Sequence, residues 1–523
     1  MKKNFQSFGA DFSASIVVLL VALPLCLGIA LASGAPAFSG IIAGIIGGVV
    51  VGVFSGSSLS VSGPAAGLTV IVAGAILKLQ SYDVFLLSVV IAGCFQLILG
   101  FLKAGFIGDY IPNSVIKGML AAIGLILILK QLQHLVGYDK DFEGDFSFIQ
   151  KDTNENTFSA LLHAFKLITP VAIFIGFISM IILVVWELPI IKKQAYLKFV
   201  PGPLVVVVLG VCINQLFLTL QPSIALQNKH LVNLPIATTP QQFLSFFTLP
   251  DFQKFTNPNV WITAFTLAIV ASLETLLGIE AVDKLDSLKR ISPTNTELKA
   301  QGIGNIVSGL IGGLPLTSVI VRSSANVASG AKSKMSTILH GLLLLICVMF
   351  IPTLLNKIPL SSLAAILIFT GYKLAKVKLF KEFFAKGWDQ FIPFVVTIIA
   401  ILLTDLLIGI VIGILVGLFF MIRSNFISAV LVVNNGRNYM VRLRKDVSFL
   451  NKPILKKTLY DIPENAFLII DVSHADFIDK DIIEEINNYL LNAQSKNIQI
   501  EIKRNHHKTS HNLFNQQVNI AST

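Results

Sequence analysis

The chain has 523 residues, 54% hydrophobic and only 13% charged, with a mean hydropathy of +0.78 and a formal net charge of +11. A soluble domain carries about twice that charged share, so the composition excludes an ordinary soluble protein and predicts an all-α polytopic membrane protein. The positive excess lies in short loops between apolar runs, which speaks for membrane topology and against a nucleic-acid partner.

From the N-terminus, the short basic start Met1-Lys-Lys runs into the first of many apolar segments, so no cleaved targeting segment is expected. Apolar stretches of about twenty residues fall near 12–34, 36–55, 84–103, 113–132, 168–187, 200–220, 259–282, 335–355, 391–404 and 406–424. Four further stretches, 60–78, 299–312, 315–330 and 360–375, are short or interrupted. Together they predict about fourteen segments, an even count that puts both termini on one side. Two lysine clusters, Lys192 with Lys193 and Lys198, and Lys373 with Lys376, Lys378, Lys381 and Lys386, mark cytoplasmic loops. Asp139, Asp141, Glu143, Asp145, Asp152 and Glu155 crowd a loop that agrees with the outer side. Both termini are therefore expected in the cytoplasm and the chain in the cell's inner (plasma) membrane. Cys26, Cys94, Cys212 and Cys347 stand singly inside apolar runs, as small hydrophobes rather than a metal motif or a disulfide framework.

The interrupted stretches carry the functional signal. Ser60-Val-Ser62-Gly63-Pro64-Ala-Ala66-Gly67-Leu-Thr69 is the third of segments one to seven, and Gly312-Gly-Leu-Pro315-Leu-Thr317-Ser318 opens the third of segments eight to fourteen. Glycine- and proline-broken segments at matching positions of two halves predict a seven-plus-seven inverted repeat with a binding site between them. Each break would start a half-helix at mid-membrane, whose free N–H groups and dipole end present partial positive charge and suit an anion. Glu274, in Ser272-Leu-Glu274-Thr-Leu-Leu-Gly278, and Arg322, in Arg322-Ser-Ser-Ala-Asn326, are ionisable groups at membrane depth and so mark a transport site. Glu280 lies about 240° around the helix from Glu274 and receives no role.

After Arg423 the composition turns polar and alternating, which predicts a transmembrane domain over 1–425, a small cytoplasmic α/β domain over 426–503 and a disordered tail over 504–523. Asn434-Asn-Gly-Arg437 reads as a turn, followed by a strand at 439–443, a helix at 453–460, a buried strand at 466–471, an amphipathic helix at 480–494 and a strand at 498–502.

Glu274-Thr-Leu-Leu with Asp283, then Asn295-Thr-Glu297-Leu-Lys-Ala-Gln301-Gly-Ile-Gly-Asn305, then Pro315-Leu-Thr317-Ser318 with Arg322-Ser-Ser-Ala-Asn326, resemble the signature region of the SulP (sulfate permease) family of anion transporters. Val61-Ser-Gly-Pro64-Ala-Ala-Gly67-Leu-Thr69 is similar to that family's third segment, and the tail resembles a shortened STAS domain that lacks its final helices. The resemblance implies a core and a gate domain, a homodimer in the lipid bilayer, and alternating access by movement of core against gate. It implies an anion faced by Thr69 and the backbone of Ala66 and Gly67 from one side, and by Ser318, Val319 and Ile320 from the other; the positive charge of Arg322 is expected to bind the anion as well. Glu274 stands where the cyanobacterial sodium-bicarbonate carriers have a sodium-binding aspartate, but Gly278 replaces their hydroxyl one turn on. A proton is therefore the expected coupling ion, with sodium as the alternative. Val21-Ala-Leu-Pro24-Leu-Cys-Leu-Gly28 resembles the bicarbonate carriers more than the sulfate carriers, so the expected substrate is an inorganic anion, bicarbonate or sulfate. Asp481 occupies the place of the phosphorylatable serine of related regulatory domains, which argues against phosphoregulation there. A nucleobase permease of the same plan is the other alternative. An enzyme is not expected, because His134, His163 and His340 are scattered singly, and no cofactor or metal is called for.

Overall fold

The computed structural model describes residues 2–140, 156–164, 166, 168–192, 200–237 and 239–504. Lys193, Lys198, the acidic residues from Asp141 to Glu155 and the tail beyond Arg504 lie outside the described residues. The chain divides into two compact units between Ile414 and Leu415.

The first unit is helical. Its longer helices are α1 (Lys2–Ala32), α2 (Ala37–Phe54), α3 (Thr69–Leu79), α4 (Tyr82–Phe101), α5 (Asn113–Leu135), α6 (Pro170–Trp186) and α7 (Gly202–Leu220). They continue with α8 (Pro258–Leu285), α9 (Thr294–Leu310), α10 (Ile320–Ala328), α11 (Met335–Phe350), α12 (Leu360–Leu374), α13 (Trp388–Leu403) and α14 (Leu406–Ser428), the last crossing into the second unit. Among the described residues, seven helices are long and apolar enough to cross a membrane, and four more are apolar but shorter. Every apolar stretch read from the sequence coincides with one of these helices or with a broken segment.

Glycines decide where helices meet. A Cβ on Gly93 of α4 would sit 2.7 Å from the Gly302 carbonyl of α9, and one on Gly302 would sit 2.8 Å from the Gly93 carbonyl, so the two backbones touch directly. In α2 the helix loosens into a π turn at Gly47–Val51, where a Cβ on Gly47 would fall 2.3 Å from the Ser62 carbonyl. That gap admits an extended stretch, β1 (Ser62–Pro64), against the helix. β1 pairs antiparallel with β2 (Leu316–Ser318) in the register Ser62 with Ser318, Gly63 with Thr317 and Pro64 with Leu316. The Val319 N–H prolongs the ladder to the Val61 carbonyl at 2.9 Å. Pro64 can join because the pairing is only three residues long and needs no donor from it.

In the second unit β3 (Val430–Asn435) and β4 (Asn438–Leu443) form a hairpin in which Asn435 pairs with Asn438 and Gly436 adopts φ +64. Such a two-residue turn requires positive φ, which glycine supplies without strain. β5 (Lys445–Val447) and α15 (Lys452–Tyr460) lead to β6 (Phe467–Asp471); β7 (Ala475–Ile478) and α16 (Lys480–Ala493) lead to β8 (Gln499–Lys503). The sheet runs β3-β4-β6-β8 with β4, β6 and β8 parallel, and β5 pairs with β7 apart from it. Leu455, Leu468, Ile470, Ile482, Ile486 and Ile500 form its core. The sequence reading anticipated β4, α15, β6, α16 and β8. It missed β3, whose residues are mostly exposed and carry no alternation, and the short β5 and β7.

Candidate functional site

The two broken segments bring their helix starts together. β1 passes through a 3-10 turn at Ala66–Leu68 into α3, and β2 passes through Val319 into α10. Extended backbone turning into helix at these points leaves first-turn N–H groups that have no acceptor inside the helix. In α10 these belong to Ile320, Val321 and Arg322. The N–H of Val319 is already taken by Val61, and that of Ser318 points to the Thr275 hydroxyl at 3.4 Å.

Between the starts lies a cavity of about 40 Å³, lined by Ala66 and Gly67 on one side and by Thr317, Ser318, Val319 and Ile320 on the other. Glu274 of α8 reaches its wall, and Leu25, Ile29, Ile123 and Leu406 close it with apolar surface. The Gly67 backbone packs directly against the Glu274 carboxyl. An added Cβ on Gly67 would lie 2.3 Å from Glu274 Oε1, so only glycine fits here, for space rather than for backbone angle. The other carboxyl oxygen, Oε2, is buried without a partner. No lysine, arginine or histidine lines the cavity among the described residues.

Six of the eight residues singled out from the sequence therefore meet at one cavity: Ala66, Gly67, Glu274, Ser318, Val319 and Ile320. Thr69 and Arg322 do not line it. Thr69 is buried with its hydroxyl unpartnered. Arg322 is fully buried behind β1, where Nη2 lies 3.2 Å from Cys26 Sγ and Nη1 presses against the face of Gly63. Two residues past Ile320, it is about 200° around the helix, which turns its side chain away from the cavity while its N–H still faces the helix start. The apolar wall residues escaped the sequence reading because nothing local distinguishes them from core.

Gly278, one turn beyond Glu274, packs on the second broken segment, where an added Cβ would lie 2.6 Å from the Ser318 carbonyl and 2.9 Å from its Oγ. No hydroxyl-bearing residue fits at 278. Ser318 Oγ is itself paired with Ser60 Oγ at 2.7 Å. Among the described residues no group of three or more His, Cys, Asp or Glu could hold a metal ion.

A larger cavity of about 460 Å³ lies elsewhere in the same unit, between α1, α6, α7, α10 and α12. The ion pair of Glu187 with Lys373, 2.5 Å apart, stands on its wall.

A family model described as the sulfate permease family matches residues 8–396. Among curated proteins, the bicarbonate transporter BicA of Synechocystis sp. (strain ATCC 27184 / PCC 6803 / Kazusa) is 28% identical over 319 residues, covering 60% of this chain and 52% of that one. The putative sulfate transporter YvdB of Bacillus subtilis (strain 168) is 27% identical over 325 residues, covering 62% and 57%. This chain thus spans about half the length of the curated relatives it matches. Among solved structures, the transmembrane domain of a cyanobacterium bicarbonate transporter BicA superposes with a TM-score of 0.53 at 25% identity, covering 78% of this chain and 98% of that one. The overall structure of SLC26A9 gives 0.67 at 16% identity, covering 97% and 86%, a likeness of fold.

Proposed function

The chain belongs to the sulfate permease family, and from that premise we propose that it is a secondary active carrier of a small inorganic anion, bicarbonate or sulfate, coupled to protons through Glu274. The observation that carries this reading is the cavity where two half-helix starts face each other with one carboxyl on the wall. Unpaired N–H groups and converging dipole ends give an anion partial positive charge from both sides without a cationic side chain. An ionised Glu274 about 4 Å from a bound monoanion would repel it by about 4 kcal/mol at an effective permittivity near 20. Protonation removes that repulsion, so anion and proton load together and leave together. The missing oxygen at Gly278 supports a proton over sodium.

In this reading the segments α1 to α7 and α8 to α14 form two inverted seven-segment halves. The core contains β1, β2 and the helices that pack on them, and the gate contributes Ile123 and Leu406. Alternating access is the movement of core against gate in a homodimer within the plasma membrane. With Lys373, Lys376, Lys378, Lys381 and Lys386 in the cytoplasm, the 460 Å³ cavity lies toward the side on which an imported anion is released.

The test is uptake of labelled bicarbonate and labelled sulfate into proteoliposomes under an imposed proton or sodium gradient. Proton-driven uptake of either anion, lost in Glu274→Gln, supports the reading. Proton-driven uptake that survives in Glu274→Gln removes the coupling role, a sodium requirement replaces it, and no uptake of either anion under either gradient overturns the carrier.

A further inference from the structure

Helix α9 contains the longest uninterrupted part of the signature, yet none of its residues lines the cavity. One face of α9 carries Glu297, Gln301, Asn305 and Ser308, spaced at four, four and three residues and therefore on one stripe. All four are buried. Buried amides are costly in a membrane protein unless their hydrogen bonds are placed, so their targets reveal what the stripe does.

Each rung grips one of the two broken segments. Glu297 accepts from the Ser55 hydroxyl and from the Ser57 N–H, the latter at 3.0 Å, where the chain leaves α2 for β1. Gln301 Nε2 donates to Ser62 Oγ of β1 at 2.6 Å, at the position paired with Ser318. Asn305 binds Leu316 of β2 twice: the Leu316 N–H donates to Oδ1 at 2.6 Å, and Nδ2 donates to the Leu316 carbonyl at 3.1 Å. Its side chain thus replaces a neighbouring strand. Ser308 Oγ donates to the Leu314 carbonyl at 2.7 Å. Asn305 Nδ2 also reaches Gln96 Oε1 of α4 at 2.6 Å, and Gln96 Nε2 reaches Ser272 Oγ at 3.4 Å, two residues before Glu274 on α8. An adjacent face of α9 is locked backbone to backbone on α4 through Gly302 and Gly93. The helix is a fixed rail with amide hooks.

We propose that Asn305 and Gln301 are positioning residues of the anion site: their side-chain amides hold β2 and β1 to the α4–α9 pair and so fix the two half-helix starts relative to each other and to Glu274. The proposal rests on the carrier reading above. Donor positions set the strength of oriented N–H groups at an anion, so loosening the hooks weakens anion binding more than it slows the moving parts.

The experiment measures initial uptake of labelled bicarbonate and labelled sulfate against anion concentration in proteoliposomes, with folded protein quantified by size-exclusion elution and thermal melting. Asn305→Ala and Gln301→Leu are expected to raise KM about tenfold or more while Vmax per folded molecule stays within twofold. Asn305→Asp, neutral at this buried position, keeps the acceptor for the Leu316 N–H and one of the two donated bonds, and should fall between Asn305→Ala and the wild type. Lys299→Ala, on the same helix but off the stripe, should leave KM unchanged. KM within twofold of wild type in folded Asn305→Ala and Gln301→Leu overturns the proposal while leaving the carrier intact. Should those two fail to fold, the milder Asn305→Asp decides by the same criterion. A wild type that takes up neither anion overturns both readings together.

Discussion

Gly67→Ala tests the geometry of the cavity most directly. The added methyl would lie 2.3 Å from Glu274 Oε1 and 3.1 Å from its Cδ, against a normal heavy-atom contact of roughly 3.5 Å. The carboxyl or the 3-10 turn at Ala66–Leu68 must therefore retreat by about 1 Å. The turn is anchored by buried Leu68 and the carboxyl is flanked by Thr317, so neither moves freely. Overpacking of this kind costs about 1–3 kcal/mol, and a displacement of about 1 Å at a reacting centre can cost about a hundredfold. The expected result is a 10- to 100-fold fall in proton-driven uptake per inserted molecule, on the scale of about 1.4 kcal/mol per tenfold. Proteoliposome uptake under a fixed proton gradient measures it. Gly74→Ala is the control on the adjoining helix: nothing lies within 4 Å of its added methyl, and the change should stabilise α3 by about 0.5–1 kcal/mol with uptake intact. Uptake by Gly67→Ala within twofold of wild type would refute the close approach of Glu274 to the helix start.

Gly302→Val forces α9 off α4, where even an added Cβ would lie 2.8 Å from the Gly93 carbonyl; it should lower thermal stability toward the upper end of about 1–3 kcal/mol, read as lost monodisperse protein in detergent. Asn356 binds Leu234 from both sides, accepting its N–H at 2.7 Å and donating to its carbonyl at 3.0 Å; Asn356→Ala should raise hydrogen exchange across residues 231–237 while leaving β1 and β2 protected. In the second unit, burial pushes the Asp471 carboxyl up, but hydrogen bonds from Ser473 and Arg442 together with the Arg442 charge outweigh it and hold the group below the usual carboxylate range. A depressed carboxyl contributes stability that is present above its unfolded value of about 3.9 and lost as pH falls through the folded value. Asp471→Asn should therefore destabilise the β4-β6-β8 sheet near neutral pH by about 1.5–3 kcal/mol, with the difference fading as pH drops below about 4; pulse proteolysis across that range reads it.

The parts of the fold that the sequence made legible are those where composition and backbone chemistry agree. Long apolar runs predicted helices, and the glycine and proline of 63–67 and 312–315 predicted the breaks. Glu274 was legible because a carboxyl at that depth demands a reason. Arg322 was legible as a buried charge but not in its direction: which way a side chain leaves a helix depends on where the helix starts, and α10 starts only at Ile320. Gly63 and Gly44, which make room for its guanidinium, are separated from it by more than 250 residues. The amide stripe of α9 was present in the sequence as a motif, but its targets, Ser62 and Leu316, emerge only when two distant segments pair.

That pairing bears on how the protein is made. β1 and β2 satisfy one another's backbone across more than 250 residues of intervening chain. When the ribosome has delivered the first broken segment, its partner does not yet exist. An extended stretch left unpaired within a bilayer exposes peptide groups to hydrocarbon at several kcal/mol each, so the early segment must wait in a protected place, at the insertion machinery or against its own helices. One of the two facing helix starts is thus an unfinished edge during synthesis, and nascent chains stopped before Ser318 should be the species that membrane quality control captures.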